Sequence, residues 1–338
     1  MSHFSDPKRA ECEKLEIAPM IDWTNTHFRY LMRLLAPKAL LYTEMQTTGA
    51  IFNNQPRALQ YHALEHPLVL QLGGSDPDAL VKCALIAEAA GFNEINLNLG
   101  CPSDRVQAGR FGACLMAEPS LVATCIERMK AVVQIPVTAK TRIGIDKNDS
   151  YEFFENFAKT LINSGIDKLI VHARKAWLKG LNPKQNRTIP PLHYDFVYKI
   201  KKEAAAFLPV IINGNINQTE AIQQHLNHVD GVMIGRLACQ NPYAIARIHH
   251  MLYPACPLRK RSNIFADYID YGAKAFANNT PVSVLLKPVL SLAHGLPGAR
   301  HWKEKLTAVQ RSKQWRGLND ALLMLEDMEA AHNEVLQA

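Results

Sequence analysis

Residues 68–98 read LVLQLGGSDPDALVKCALIAEAAGFNEINLN. Leu68–Leu72 and Glu94–Asn98 are short, largely apolar runs of strand length. Between them Asp76 stands where a helix N-cap belongs, Pro77 occupies the favoured first helical position, and Gly91 stops the helix after Ala90. This strand–helix–strand unit repeats in both directions. Further strands are expected at Glu16–Met20, Ala39–Glu44, Val137–Arg142, Lys168–His172, Val210–Asn213 and Gly231–Ile234. Most are continuous apolar runs, as suits parallel strands covered on both faces. Tyr151–Ser164 reads as a helix closed by Gly165, and Asn217 opens another with Glu220 at the capping-box spacing. Eight βα units in series predict a closed (β/α)8 TIM barrel. A doubly wound sheet is the alternative, but no G-x-G-x-x-G follows the first strand.

Two stretches break the rhythm. Ala173–Pro191 is too long for a plain βα connection. From about Cys256 the strands stop, and helices are expected at Asn263–Asn278, Val282–His294, Trp302–Arg311 and Asp320–Leu336. The reading is therefore a catalytic barrel over residues 1–255 and a helical domain over 256–338.

The bulk composition fits. The 338 residues exceed the roughly 250 of a typical barrel. Met1–Glu16 is polar, unlike a signal peptide, and no apolar run is long enough to span a membrane, so a cytoplasmic protein is expected. Seven cysteines without a C-x-x-C pair argue against a disulfide framework, a zinc ribbon or an iron–sulfur cluster, and no metal site is expected. A net charge of +7 permits a polyanionic partner without demanding one.

Barrel chemistry sits where strands end. Polar residues fall there repeatedly: Gln71, Asn96 and Asn98 before Gly100-Cys101-Pro102-Ser103, Lys140-Thr141-Arg142, His172-Ala173-Arg174, Asn213-Gly214-Asn215 and Gly235-Arg236. Any one is commonly a cap or turn residue; together on one rim they mark a site. Glycine-bearing turns after the seventh and eighth strands are where barrels bind phosphate through backbone N–H groups, with Arg236 adding charge. Lys140 suits the electron-rich edge of a flavin, and His172 its ring or phosphate. A lone cysteine is usually core filler. Cys101, however, lies in a polar loop at a strand end, unlike Cys83 and Cys125 on helices. A thiol in its ordinary range is protonated at neutral pH, so it serves as an acid without tuning, whereas a nucleophile needs a depressed pKa.

Taken in order, Ala-Pro-Met-Ile-Asp-Trp-Thr (18–24), Thr-Glu-Met (43–45), Gln-Leu-Gly-Gly (71–74), Asn-Leu-Asn-Leu-Gly-Cys-Pro-Ser (96–103), Ala-Lys-Thr-Arg-Ile-Gly (139–144), Val-His-Ala-Arg (171–174), Asn-Gly-Asn (213–215) and Ile-Gly-Arg (234–236) closely resemble the tRNA-dihydrouridine synthases. Residues 176–187 and 296–303 resemble the branch acting on the D-loop at positions 20 and 20a. The resemblance implies FMN at the barrel mouth against Pro19, Met20, Ile21, Gln71, Lys140, His172, Asn213, Gly214, Asn215, Gly235 and Arg236, re-reduced by NADPH or NADH. It implies Cys101 as proton donor, with Asn98, Lys184, Arg187, Arg300 and Lys303 touching tRNA. Lysine at 303, where arginine is common, and Asn-Gly-Asn, where Asn-Gly-Gly is usual, are the departures.

The charge distribution agrees with an RNA partner. Arg174–Arg187 holds five basic residues and no acid, and Arg300–Arg316 holds six against Glu304 alone. His301, Trp302 and Trp315 interleave the second stretch, offering faces for stacked bases. Nothing implies a protein partner, and a monomer is expected. Two rivals stand beside this reading: an FMN barrel that reduces a free pyrimidine such as dihydroorotate, and an RNA-binding protein without catalysis.

Overall fold

The computed structural model describes residues 14–204 and 208–337, so Cys12 and most of the polar Met1–Glu16 stretch lie outside the described residues. Eight parallel strands form a closed ring: β1 (Leu15–Ile17), β2 (Leu40–Tyr42), β3 (Leu68–Gly73), β4 (Glu94–Leu99), β5 (Val137–Arg142), β6 (Leu169–His172), β7 (Val210–Asn213) and β8 (Gly231–Ile234). β1 pairs with β8, and β2 pairs with β3 to close the barrel. A two-residue strand, Gln46–Thr47, adds to the end of β3. The expected TIM barrel is the observed one. β1 and β2 are shorter than the sequence suggested, so Ala18–Met20 and Thr43–Glu44 belong to the loops above them.

Short polar side chains cap several of the helices. α1 (Thr26–Leu35) follows β1 and is capped by Asn25, whose side chain accepts from Phe28 N. α2 (Pro77–Ala89) starts with Asp76 accepting from Asp78 N, as the sequence predicts. α3 (Pro119–Lys130) follows β4, and α4 (Tyr151–Asn163) is capped by Ser150. α5 (Tyr194–Glu203) and α6 (Thr219–Leu226) follow β6 and β7. The capping box expected at Asn217 does not form: α6 begins after Gln218, without a side-chain cap.

By contacts the chain forms two compact units, one running to Ile21 and then from Leu40 to Gly235, the other comprising Asp22–Ala39 and Arg236 onward. The second unit is helical: α1, α7 (Arg236–Gln240), α8 (Pro242–Leu252), α9 (Arg261–Ala277), α10 (Ala299–Ser312) and α11 (Leu318–Gln337). The boundary read from sequence, 255/256, falls inside this unit, between α8 and α9. Glu329 on α11 caps α9 from outside, accepting from Arg261 N at 2.7 Å and Ser262 N at 3.1 Å. The single helix expected over Val282–His294 ends at Leu286 and tightens into a 3-10 turn at Lys287–Val289. Pro288 supplies no N–H, and its ring opposes the preceding turn.

The barrel interior departs from the branched aliphatic filling usual for this fold. Ala18, Leu40, Tyr42, Val69, Ile170, Ile211 and Met233 form an apolar cluster. Beside it Lys168 Nζ lies 2.8 Å from Glu16 Oε1 and 2.9 Å from Glu94 Oε2, with all three side chains nearly inaccessible. Tyr42 donates to the other Glu16 oxygen at 2.8 Å, and Thr138 to the other Glu94 oxygen at 2.6 Å. Burial pushes the Glu16 carboxyl well above its ordinary range; Lys168 pulls it down and Glu94 pushes it up.

Candidate active site

From this ion cluster a chain of hydrogen bonds climbs to the barrel mouth. Parallel register sets Gln71 beside Asn96 and Asn96 beside Thr138. Asn96 Nδ2 donates to Thr138 Oγ1 at 2.9 Å, Gln71 Nε2 to Asn96 Oδ1 at 2.8 Å, and Asn98 Nδ2 to Gln71 Oε1 at 2.9 Å. Asn98 Oδ1 accepts the N–H groups of Gly100 and Cys101 at 3.1 and 3.0 Å. Those two N–H groups can only donate, so they fix which way the Asn98 amide faces. With Oδ1 engaged twice, the hydrogen left to Asn98 beyond the Gln71 bond is a donor.

Cys101 is half-buried in the loop after β4, its Sγ 3.5 Å from Ser103 Oγ. The loop is pinned from three sides. Ala113 N donates to Cys101 O at 2.9 Å. Gly112 makes that approach feasible: its φ is +79°, and a Cβ there would lie 2.5 Å from Cys101 O. Arg142 Nε donates to Gly100 O at 2.8 Å, while its Nη1 reaches Lys175 O and Asn186 O at 2.9 and 3.0 Å. The guanidinium thus joins the cysteine loop to the long loop after β6. Burial lowers its pKa to about 10. In the sequence Arg142 is only a strand-end residue, and neither its anchoring role nor that of Gly112 has a local signal.

The other expected residues of the first unit converge on the same rim. Gln71 is buried, and His172 closes β6 opposite Asn213 in register. Lys140 Nζ donates to Asn213 Oδ1 at 3.2 Å, and Asn213 Nδ2 to Met233 O at 2.7 Å. A Cβ on Gly235 would come within ordinary contact of Met20 Sδ, at 3.7 Å, so the β1 and β8 loops meet. Pro19 and Met20 are half-buried and Ile21 is 53% exposed. Among the described residues, the backbone N–H groups of Gly214, Asn215 and Gly235 make no hydrogen bond within the protein. Three unengaged donors beside a lysine fit a phosphate group.

Lys140 is itself perturbed. Burial, and secondarily Arg142, lower its pKa from 10.5 to about 7, against smaller opposing effects of Cys101 and Glu16. The folded protein therefore binds fewer protons here than the unfolded chain from pH 7 to the ordinary lysine range, and stability rises with pH across that window. Lys140→Met is expected to gain stability over the parent at neutral pH and to lose that gain as pH approaches the lysine range. Thermal melts of flavin-free protein read this; a pH-independent difference would contradict it.

Lys184 and Arg187 are exposed on the loop after β6. Its buried organiser is Asn186, which accepts from Trp177 N at 2.7 Å and donates to Trp177 O and Leu181 O at 2.9 and 3.0 Å. Gln107 Nε2 also ties Pro102 O to Leu178 O, at 2.8 and 2.7 Å. Lys175 of this loop pairs with Asp149 at 2.5 Å.

Arg236, Arg300 and Lys303 belong to the second unit. Arg236 opens α7 directly after Gly235. Arg300, 89% exposed and 2.9 Å from Glu304, lines with Lys303, Arg311 and His294 a groove of about 580 Å³. Of the three residues expected to offer ring faces, His301 is exposed, Trp315 is half-buried and Trp302 is buried. Trp302 is fully buried edge-on to Phe265 with its Nε1 on Val289 O, and Trp315 stacks on Phe276 against Gly272. Both indoles fill helix–helix packing, which periodicity within a charged helix did not reveal.

A closed parallel barrel with a cysteine loop and three unengaged backbone N–H groups at its C-terminal strand ends has the architecture of a TIM-barrel enzyme. Residues 16–331 match the family model described as dihydrouridine synthase (Dus). The chain belongs to that family. It is 50% identical over 307 residues to a tRNA-dihydrouridine(20/20a) synthase of Shewanella oneidensis, covering 90% of this chain and 91% of that one. With proteins of the same description from Vibrio cholerae and Escherichia coli it shares 49% over 296 and 302 residues, covering 87% of this chain and 90% and 89% of theirs. Similar solved structures include a complex of 2-naphthoyl-CoA reductase (TM-score 0.52, 10% identity, 70% of this chain and 49% of that). A histamine dehydrogenase from Rhizobium is alike at TM-score 0.52 and 11% identity, covering 71% of this chain and 46% of that. At such identities the likeness concerns the barrel alone.

Proposed function

We propose that this protein reduces uridine to 5,6-dihydrouridine in tRNA, at D-loop positions 20 and 20a, using FMN that is re-reduced by NADPH or NADH. The observation that carries the reading is the joining of Cys101, Asn98 and Gln71 by one hydrogen-bonded chain beside the free N–H groups of residues 214, 215 and 235. Family membership supports the same reading. The residues that would hold FMN are Pro19, Met20, Ile21, Gln71, Lys140, His172, Asn213, Gly214, Asn215, Gly235 and Arg236. When bound and reduced, the flavin supplies a hydride to C6 of the base.

The protein's own groups supply the rest. Cys101 donates its thiol proton to C5 of the pyrimidine, and Asn98 offers its remaining N–H to a carbonyl oxygen of the base. Lys140 provides a cation where negative charge gathers. Asn98, Lys184, Arg187, Arg300 and Lys303 are assigned to the tRNA. A base inside folded RNA must leave its stack to enter, at a cost of a few kcal/mol, which phosphate contacts offset. Among the described residues no helix is long and apolar enough to cross a membrane. We assign the protein to the cytoplasm as a monomer, with residues 1–255 as the catalytic domain and 256–338 as the tRNA-binding one.

The test is a comparison of substrates. Reduction of unmodified tRNA with none of free uracil or orotate is expected; the reverse pattern would favour a free-pyrimidine reductase, and colourless protein that takes up no FMN would favour a non-catalytic RNA-binding protein. Replacing Lys184 and Arg187 together by neutral residues should weaken tRNA binding and flatten the dependence of log affinity on log salt by roughly one to two phosphate charges' worth. Unchanged affinity would remove that loop from the RNA surface.

A further inference from the structure

Behind the turn at residues 213–215 stands an aromatic group that the proposed chemistry does not use. Tyr194, at the start of α5, donates its hydroxyl to Gly214 O at 2.5 Å. Its ring meets the buried His225 of α6 edge-on, with centroids 4.5 Å apart. His225 Nδ1 in turn bonds Tyr198 OH at 2.6 Å, one turn further along α5, and Tyr198 stacks on His228. Burial raises the pKa of both tyrosines and lowers that of His225, so the phenols keep their protons and the imidazole stays neutral.

A planar trans peptide points its C=O and the following N–H in opposite directions. Because Tyr194 draws the Gly214 carbonyl toward α5, the Asn215 N–H is aimed away from that helix, and it has no partner within the protein among the described residues. Gly214 has φ +127° and Asn215 φ +54°, both in conformations that L residues rarely adopt, and a Cβ on Gly214 would press His172 and Leu192 at 3.1 Å. The hydroxyl of Tyr194 is placed to hold the peptide plane between Gly214 and Asn215.

We propose that Tyr194 is a positioning residue for the phosphate of the cofactor: by fixing the Gly214–Asn215 peptide it presets the Asn215 N–H as a phosphate donor. The inference rests on the FMN reading above. It separates the phosphate from the ring, because only the phosphate end depends on that peptide.

Tyr194→Phe keeps the ring on His225 and removes only the hydroxyl. Flavin-free parent and variant are titrated with FMN and with riboflavin, following the quenching of flavin fluorescence. FMN affinity of the variant is expected to fall roughly tenfold, the loss of one hydrogen bond to a charged group, while riboflavin affinity stays unchanged. Equal FMN affinity in the two proteins would overturn the assignment. So would a parallel loss for FMN and riboflavin, which would mark Tyr194 as general packing. Parent protein that does not prefer FMN to riboflavin would remove the phosphate site itself, and the proposal with it.

Discussion

Cys101→Ala is expected to retain bound FMN and its reduction by NADPH while dihydrouridine formation falls by roughly two to four orders of magnitude, the range a positioned general acid supplies. The backbone is why the effect should be this selective. The loop is held by Asn98 Oδ1, Arg142 Nε and Ala113 N, all of which bond main-chain atoms of residues 100 and 101 rather than the sulfur. Removing Sγ leaves those bonds in place and takes away a long, weak hydrogen bond with Ser103 Oγ. Separate assays of flavin absorbance, NADPH oxidation and dihydrouridine content distinguish the outcomes. Turnover at the parent rate would exclude the thiol as proton source, and loss of flavin would mean that the loop, not the proton, had been disturbed.

Lys168→Met carries the largest expected effect on stability. The side chain has nearly the right volume, but it strands Glu16 and Glu94 in the barrel interior with no cation between them. Breaking a buried ion pair from one side costs about 3–5 kcal/mol, because the remaining charge is desolvated and unpaired. In a chain of this size that corresponds to a melting temperature lower by roughly 10 °C. The pH dependence carries a second signature. Glu16 already has a raised pKa, so its contribution to stability is present at low pH and lost as pH rises through the folded value. Without Lys168 the opposing pull disappears, and the variant should be relatively most stable in mild acid, where Glu16 is protonated. A variant as stable as the parent at neutral pH would show that the cluster is not ionised as described.

Much of the barrel and its rim is legible in the sequence. The apolar runs of β3 to β8, the cap at Asp76 and the helix beginning at Tyr151 are local signals that the fold keeps, whereas the capping box at Asn217 is not kept. The rim residues are legible because barrels place chemistry at strand ends, and Gln71, Asn98, Cys101, Lys140, His172 and Asn213 do gather there. What escapes is made by long-range geometry. Glu16, Glu94 and Lys168 each look like an ordinary charge bordering a strand; only closure of the ring brings them together. Arg142 reads as a rim cation, yet its donors go to three carbonyls on two separate loops. Trp302 sits among basic residues on an exposed-looking helix, but it is fully buried. Pro288 is a signal that could have been read correctly, since proline inside an apolar helical pattern interrupts it.

The proposed reaction stands on one arrangement: a flavin ring over the strand ends, with the Cys101 thiol on the far side of a captured uracil. A crystal structure of the FMN-loaded protein bound to its tRNA shows directly whether it exists. The phosphate of FMN is expected on the N–H groups of residues 214, 215 and 235, with an everted pyrimidine between the ring and Cys101 Sγ. Flavin bound away from this rim, or a thiol turned from the base into the protein, would refute the arrangement.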